Sequence, residues 1–487
     1  MGTAAGRAVT MSETDAALPL WLGGEPYETG TTVAVTDKWS GSPFARVAWA
    51  DRQTIDRAIE LSVDGFHALR AWPAWRRAAA LRQVADAVEA ERARFAEVLV
   101  REAGKPLQFA DAEIDRALDT LRLGAEEASR IRGEHVPLDG SPRGDAYEGW
   151  VRRFPIGPCA LITPFNFPLN LVCHKVAPAI AAGCSFVLKP APATPVSALL
   201  LGEILSRAGL PPGTFSILPC SNGDAAALVE DDRLRMLSFT GSVQVGWQLR
   251  EQAPRKRMTL ELGGNAACIV DRDADLSFAA ERIVFGAFYQ AGQSCISVQR
   301  VLVHAEIYAR FSEVLLERIR ALRGGSPSER DTFLSPLISE AAAERVEGWI
   351  ADAVQAGAQV LVGGTRRGAF LEPTVLEGVP PTSALVCEEA FGPVMTLAAF
   401  DDLDDAIARA NDPHLGLQAG IFTDSLARAR RAFEGLEVGG VVIGDIPSSR
   451  VDAMPYGGIR DSGTGREGVR YAIEEMTEPK LMLVRRR

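Results

Sequence analysis

Residues 159–218 read CALITPFNFPLNLVCHKVAPAIAAGCSFVLKPAPATPVSALLLGEILSRAGLPPGTFSIL, and their alternation decides the fold. The pattern predicts an apolar strand over 159–163, a helix over 169–182, a second strand over 185–188 before a Pro-rich turn, a helix over 196–208 and a third strand over 214–218. The same beat continues with a helix over 225–230, a strand over 236–239 and a helix over 243–252. Short strands alternating with helices form βαβ units and a parallel sheet. Such sheets bind ligands beyond the carboxyl ends of their strands. That places the loops at 163–168, 189–195, 219–223 and 240–243 at a binding edge.

Outward from this stretch the texture changes. Upstream, residues 52–71 and 74–133 carry Ala, Arg and Glu at helical spacing and predict long amphipathic helices with solvated charged faces. The polar run GSPRGDAYE, 140–148, predicts a hairpin that leaves the main body. Downstream, a second α/β texture runs from Leu260 to Gly435. Strands are expected near 266–270, 300–303 and 359–362, with helices near 280–289, 306–322 and 341–356. There is no internal repeat and no low-complexity tract, and the fold class is α/β.

The chain has 487 residues, enough for sizeable cores without metal or disulfide staples. Its 52 Lys and Arg against 63 Asp and Glu leave a net charge of −11. That balance argues against nucleic acid as a partner, since phosphate binding needs a dense basic surface; a local basic pocket for a small anion remains compatible with it. The seven cysteines, 159, 173, 184, 220, 268, 295 and 387, are odd in number and contain no CxxC pair. This argues against a disulfide framework or a zinc site and for a reducing compartment, and no metal role is assigned. No apolar run reaches the roughly 18 residues of a membrane span. The opening MGTAAGRAVTMSETDA lacks the apolar core of a secretory signal and reads as the start of a disordered tail, taken as residues 1–20. A cytoplasmic location follows by default.

Several residues can carry chemistry. Cys295, in FYQAGQSCISVQR, has small and polar neighbours that make a poor core segment; the other six cysteines read as small buried hydrophobes. Glu261, in MTLELGGNAACIV, is either a buried general base with a raised pKa or a strand-edge carboxylate facing solvent. Asn166, in ITPFNFPLN, can donate to an oxyanion or cap the helix that follows. The loop TGSVQVG after Phe239 follows a strand and opens a helix, so its N–H groups can meet a pyrophosphate. Lys189, before Pro190, either reaches ribose hydroxyls or is a surface lysine at a turn.

Together these features resemble the aldehyde dehydrogenase superfamily over residues 20–480, through PFNFP, KPAPATP, FTGSVQVG, LELGGN, a GQSC whose Cys lies 34 residues after the Glu, EEAFGPV and PYGGIRDSGTGREG. The resemblance implies a Rossmann-like cofactor domain (21–131 and 151–260), an α/β catalytic domain (261–474) and a small β arm for oligomerisation (132–150 and 475–487). It implies a homodimer or homotetramer acting on a small aldehyde with NAD or NADP. Cys295 resembles the nucleophile, Asn166 and the Cys295 N–H the oxyanion donors, Glu261 the base for thioester hydrolysis, and Lys175 and Glu467 a proton relay. Cofactor contacts would come from Thr163, Pro164, Phe165, Lys189, Pro192, Gly223, Phe239, Gly241, Ser242, Gly246, Leu262, Glu389 and Phe391. The presence of Cys295, Glu261 and Asn166 argues against a catalytically silent homologue, and Glu261 argues against transfer of the acyl group to CoA.

Two departures from the family pattern are informative. Where NAD-preferring members often carry Glu, this chain has Pro192, so no carboxylate there repels a 2′-phosphate; a common glycine appears as Cys220. In the substrate funnel, positions that are apolar in members acting on apolar aldehydes appear as Arg116, Asn170, His174 and Arg450, beside Ser294. Two arginines converging on one pocket bind an anion. The expected substrate is a short aldehyde bearing phosphonate, phosphate, sulfonate or carboxylate, such as succinate semialdehyde, phosphonoacetaldehyde or sulfo- or phospho-glyceraldehyde-like compounds. The alternatives are that Arg116 pairs with Asp115 or Asp119 and Arg450 with Asp452, and that the enzyme is a broad-specificity or lactaldehyde-like dehydrogenase.

Overall fold

A computed structural model describes residues 17–486. The first sheet has eight strands, and five of them are parallel, in the spatial order Phe215–Ile217, Phe186–Lys189, Cys159–Ile162, Met236–Thr240, Arg257–Glu261. All residues of these strands but Thr240 and Arg257, at strand ends, are buried, as a sheet covered on both faces requires. Helices Ala74–Ala90, Leu107–Glu127, Asn170–Ala182 and Val196–Ser206 contribute to the core around it.

Strand Arg257–Glu261 is the last of these five, and five residues after it ends strand Ala266–Val270 begins, inside a second, seven-stranded sheet. That sheet is parallel except for its edge strand Gln359–Val362. The chain then returns: Gly463–Thr464 pairs with Leu260 and Glu261, and Val469, Ile473 and Met476 pack in the core of the first sheet. The second unit therefore stops short of residue 474, because this last helix has its apolar face on the first core. A separate antiparallel arm joins Glu134–Val136, Tyr147–Pro155 and Thr477–Arg485.

Three other expectations change. Residues 1–16 of the expected tail lie outside the described residues, but 17–20 do not form a tail: Leu18 bridges Val47, and Leu20 is buried at the start of a strand. The helical run 74–133 breaks at Glu91, again at the left-handed Gly104 before Pro106, and ends by Ala128. Its charges are not all solvated, since Glu102, Lys105 and Glu113 are buried. Glu102 accepts from the N–H groups of Val196 and Ser197 at 2.8 and 3.1 Å, capping the helix that starts there.

Candidate active site

A cavity of about 1000 Å³ runs along the carboxyl ends of the first sheet's parallel strands and is closed by segments flanking the second sheet, among them Cys295, Glu389 and Arg450. The strand order of the first sheet reverses between Cys159–Ile162 and Met236–Thr240, and the loops leaving both strands line the cavity. Such a reversal opens a crevice in the sheet edge.

Cys295 lies half-buried on this wall. It leaves a tight turn in which Gln290, Ala291 and Gly292 have φ of 56°, 53° and 69°. A non-glycine residue in this region costs about 1–3 kcal/mol and needs its surroundings to hold it. Here Gln290 Nε2 donates to the Asn166 carbonyl at 3.0 Å, Gln293 Nε2 donates to the Gln290 carbonyl at 3.2 Å, and Gln293 Oε1 accepts from Ile338 N at 2.9 Å. Burial pushes the Cys295 thiol up to about 12, and the Tyr456 hydroxyl, 2.8 Å from Sγ, opposes that rise. Of the other cysteines five are buried as expected, but Cys387 is half-exposed, with its thiol on the Pro381 carbonyl.

Glu261 does not face solvent. It is buried, and neither carboxyl oxygen has a hydrogen-bond partner. Burial first and Glu467 second raise its pKa well above the ordinary range, against Arg450, Lys175 and Arg466. The following glycine pair permits close approach: a Cβ on Gly264 would sit 2.6 Å from the Cys295 carbonyl oxygen.

Asn166 donates one amide hydrogen to the Gln293 carbonyl at 2.9 Å, which leaves its second N–H for a ligand. The Cys295 backbone N–H donates to no protein group among the described residues. These two donors can hold an oxyanion beside Sγ. Asn166 caps no helix. The helix it precedes starts at Asn170, and Glu113 accepts from Leu169 N and Asn170 N at 2.9 and 3.0 Å instead. Glu113 is ion-paired with Lys105, whose ammonium also donates to the Asn166 carbonyl at 2.9 Å. This pair was not recognisable as functional in the sequence. Its one signal is that Glu113 sits on the buried stripe of its helix between Phe109 and Ala117.

Lys175 lies behind the cavity, 3.3 Å from Glu467 Oε1 and 2.8 Å from Ser238 Oγ. Burial opposes charge on Glu467, but Lys175 foremost, then His174 and Arg450, draw it down to about 2. Glu261, Glu467 and Lys175 thus lead from the cavity into the core.

Thr163, Pro164, Phe165, Lys189, Pro192, Gly223, Phe239, Gly241, Ser242, Leu262, Glu389 and Phe391 all line the cavity. Gly246 does not: it lies against the Leu262 side chain, and its expected cofactor contact becomes a packing contact. Lys189 is buried rather than a surface lysine, and burial lowers its ammonium pKa. Helix Val243–Gln252 has no side-chain cap, so its first-turn N–H groups are open to an anion. Burial raises Glu389 to about 7, and it accepts from Gly264 N at 3.1 Å. Phe391, at φ 47°, sets its ring edge-on to Phe165 at 5.7 Å. An uncapped helix start, a buried ammonium and a half-buried carboxyl along one apolar trough fit a dinucleotide.

Arg116, Ser294 and Arg450 line the cavity, but Asn170 and His174 do not. Both are fully buried behind it, so two of the four polar replacements support the funnel rather than wall it. Asn170 Oδ1 accepts from Thr120 Oγ1 at 3.3 Å. His174 Nε2 lies 2.8 Å from Asp452, and its Nδ1 lies 3.4 Å from an Arg450 nitrogen. Burial, then Arg450, lowers the His174 pKa against Asp452 and Glu467; a neutral ring here would donate to Asp452 from Nε2 and accept from Arg450 at Nδ1. Arg116 pairs with neither Asp115 nor Asp119; its Nε and one Nη reach Asp452 at 3.2 and 2.6 Å. Arg450 donates to Glu467 at 3.0 Å and approaches Asp452 only to 3.8 Å. Asp452 is therefore the organiser of this wall, a role its place in the sequence does not reveal.

Comparison with known proteins agrees with this geometry. The aldehyde dehydrogenase family model matches residues 26–482. The chain is 41% identical to a 3-sulfolactaldehyde dehydrogenase of Priestia megaterium over 96% of this chain and 97% of that protein. A crystal structure of aldehyde dehydrogenase 21 from Physcomitrella patens, in complex with its reaction product succinate, superposes with a TM-score of 0.96 at 46% identity, covering 97% of this chain and 99% of the other. A glyceraldehyde-3-phosphate dehydrogenase from Methanocaldococcus jannaschii, complexed with NADP, superposes with a TM-score of 0.90 at 34% identity, covering 94% and 100%. The chain belongs to the aldehyde dehydrogenase family and is an NAD(P)-dependent aldehyde oxidoreductase.

Proposed function

We propose that this enzyme oxidises a short aldehyde carrying a carboxylate, sulfonate, phosphonate or phosphate, and that Arg116 and Arg450 receive the anion. The observation that carries this reading is Arg450 Nε, a buried donor with no acceptor on the wall that also holds Cys295. The charges around it point the same way. Three basic side chains, Arg116, Arg450 and Lys175, face Asp452 and Glu467, whose pKa values are held below the ordinary range, while burial lowers the pKa of His174 and raises that of Glu261. This surplus of basic side chains on the wall suits an anionic head group. The sulfolactaldehyde dehydrogenase and the succinate complex, both similar to this chain, support the same substrate class.

In this reading Cys295 Sγ attacks the aldehyde carbon, and the carbonyl oxygen becomes an anion held by Asn166 Nδ2 and the Cys295 N–H. Lys189, Ser242 and Glu389, along the other half of the cavity, would hold a nicotinamide dinucleotide, which would supply the acceptor for the hydride. Glu261 takes the proton of the water that hydrolyses the thioester on Cys295, and Glu467 and Lys175 carry that proton onward.

Replacing Arg116 by Gln tests the anion site. A charge-assisted hydrogen bond is worth about 1.5–3 kcal/mol, so KM for succinate semialdehyde or a sulfonated aldehyde should rise roughly ten- to a hundredfold. KM for propanal should stay within about threefold. Equal changes on both substrates in steady-state assays would remove the proposal.

NADP should be used at least as well as NAD. Among the described residues the only carboxylates lining the cavity are Glu261, Glu389 and Glu467, and position 192 is proline. Pro192→Glu should therefore lower kcat/KM for NADP by about tenfold or more through like-charge repulsion. The same change should leave NAD within a few-fold, as initial rates with the two dinucleotides would show.

Leu481, Met482 and Leu483 on the arm are each more than half exposed, at 55, 57 and 53%, which supports assembly as a homodimer or homotetramer.

A further inference from the structure

Tyr456 was not among the expected site residues, yet its hydroxyl is the only protein group hydrogen-bonded to the Cys295 sulfur among the described residues. The ring is 4% exposed and packs with Ile296, Leu417 and Met454. Its backbone is clamped to Glu467 by two hydrogen bonds, at 3.1 Å from Tyr456 N and 2.6 Å from Glu467 N. The hydroxyl therefore has one place to point. The Arg450 guanidinium lies 3.7 Å from the ring centroid. A cation on the π face draws electron density from the phenol oxygen and makes its O–H a stronger donor.

We propose that Tyr456 is a further catalytic residue: its hydroxyl donates to the Cys295 thiolate and sets the pH at which the nucleophile forms, with Arg450 stacked on its ring to strengthen that donor. A thiolate sulfur can only accept, so in the ionised pair the phenol is necessarily the donor. The other charged groups that act on the sulfur are Glu389, Arg450 and Glu261, and those acting on the hydroxyl are Arg450 and Glu261. The two glutamates disfavour the thiolate, so Tyr456 and Arg450 are the groups that favour it. When Sγ attacks, the sulfur lone pair forms the S–C bond and the carbonyl π pair moves to oxygen. The sulfur becomes a weak acceptor, and the phenol releases it. The hydrogen bond thus holds the resting anion and not the adduct.

This inference rests on Cys295 being the nucleophile, and its test needs no aldehyde. In a Cys387→Ser background, which removes the other half-exposed thiol, alkylation of Cys295 by iodoacetamide is followed across pH and located by mass spectrometry. Tyr456→Phe keeps the ring and removes the donor. The midpoint of the alkylation profile should rise by about one pH unit. At pH 7 the rate should fall only about three- to fourfold, because the less stabilised thiolate is also more nucleophilic. The acid limb of kcat/KM for aldehyde oxidation should move by the same amount. An unmoved or lowered midpoint overturns the proposal. Should the phenylalanine variant not fold, Tyr456→3-fluorotyrosine, with a more acidic hydroxyl, should lower the midpoint, and an unmoved or raised one overturns it. A shifted midpoint in a chain that oxidises no aldehyde defeats the role of Cys295 itself. An unmoved midpoint in an active enzyme defeats only the hydrogen bond.

Discussion

Cys295→Ala should lower aldehyde oxidation by a factor on the order of 10⁴ to 10⁶, the size of loss seen when a covalent nucleophile is removed. No substitute stands nearby. Cys295 is the only cysteine lining the cavity; of the rest, five are buried in the cores and Cys387 bonds the Pro381 carbonyl outside it. Dinucleotide binding should be unchanged, because the trough that would hold the cofactor is built from other residues. Reduced-cofactor absorbance gives the rate, and quenching of protein fluorescence by the dinucleotide checks the fold. A loss of less than tenfold would dismiss Cys295 as the nucleophile.

Glu261→Gln should separate the two halves of the reaction. Attack and oxidation need no base at 261, but hydrolysis does, and a positioned general base contributes about 10²–10⁴-fold. The variant should produce one equivalent of reduced cofactor per site in a rapid burst and then stall. Mass spectrometry should show the acyl group on Cys295. Steady turnover without a burst would assign the base elsewhere. In the unsubstituted enzyme, burial and Glu467 keep the Glu261 carboxyl protonated above the ordinary range, so hydrolysis should accelerate as pH rises and the proton leaves. The glutamine variant should lose that limb. Stability has the opposite slope. A carboxyl that binds its proton more tightly when folded makes the folded state less favourable as pH climbs above its unfolded value of about 4.3. Glu261→Gln should remove that slope, and its melting temperature should gain on the parent's at alkaline pH.

The elements that could be read in advance are those whose pattern is local. Strand 266–270 falls where the apolar run places it, since a buried parallel strand shows itself within four or five residues. Cys295, Glu261 and Asn166 stood out because each is ill-suited to the segment that holds it, and the structure brings all three to one cavity. The long helical run was harder. Its break at Glu91 carries a weak local signal, although Gly104 before Pro106 is a legible helix stop, and its inward charges, Glu102, Lys105 and Glu113, have the same composition as outward ones.

By itself, then, the sequence determined the α/β alternation, the family and the residues able to do chemistry, because periodicity and motif order are properties of neighbours along the chain. Only the tertiary structure decided that Asp452 ties Arg116 and His174 together, that Glu113 and Lys105 hold the Asn166 loop, and that Tyr456 reaches the Cys295 sulfur. Arg116 and Asp452 are 336 residues apart, and Cys295 and Tyr456 are 161 apart. Contacts at such separations arise from how two sheets and a returning chain pack, and each depends on a few ångströms of side-chain placement that no local pattern encodes.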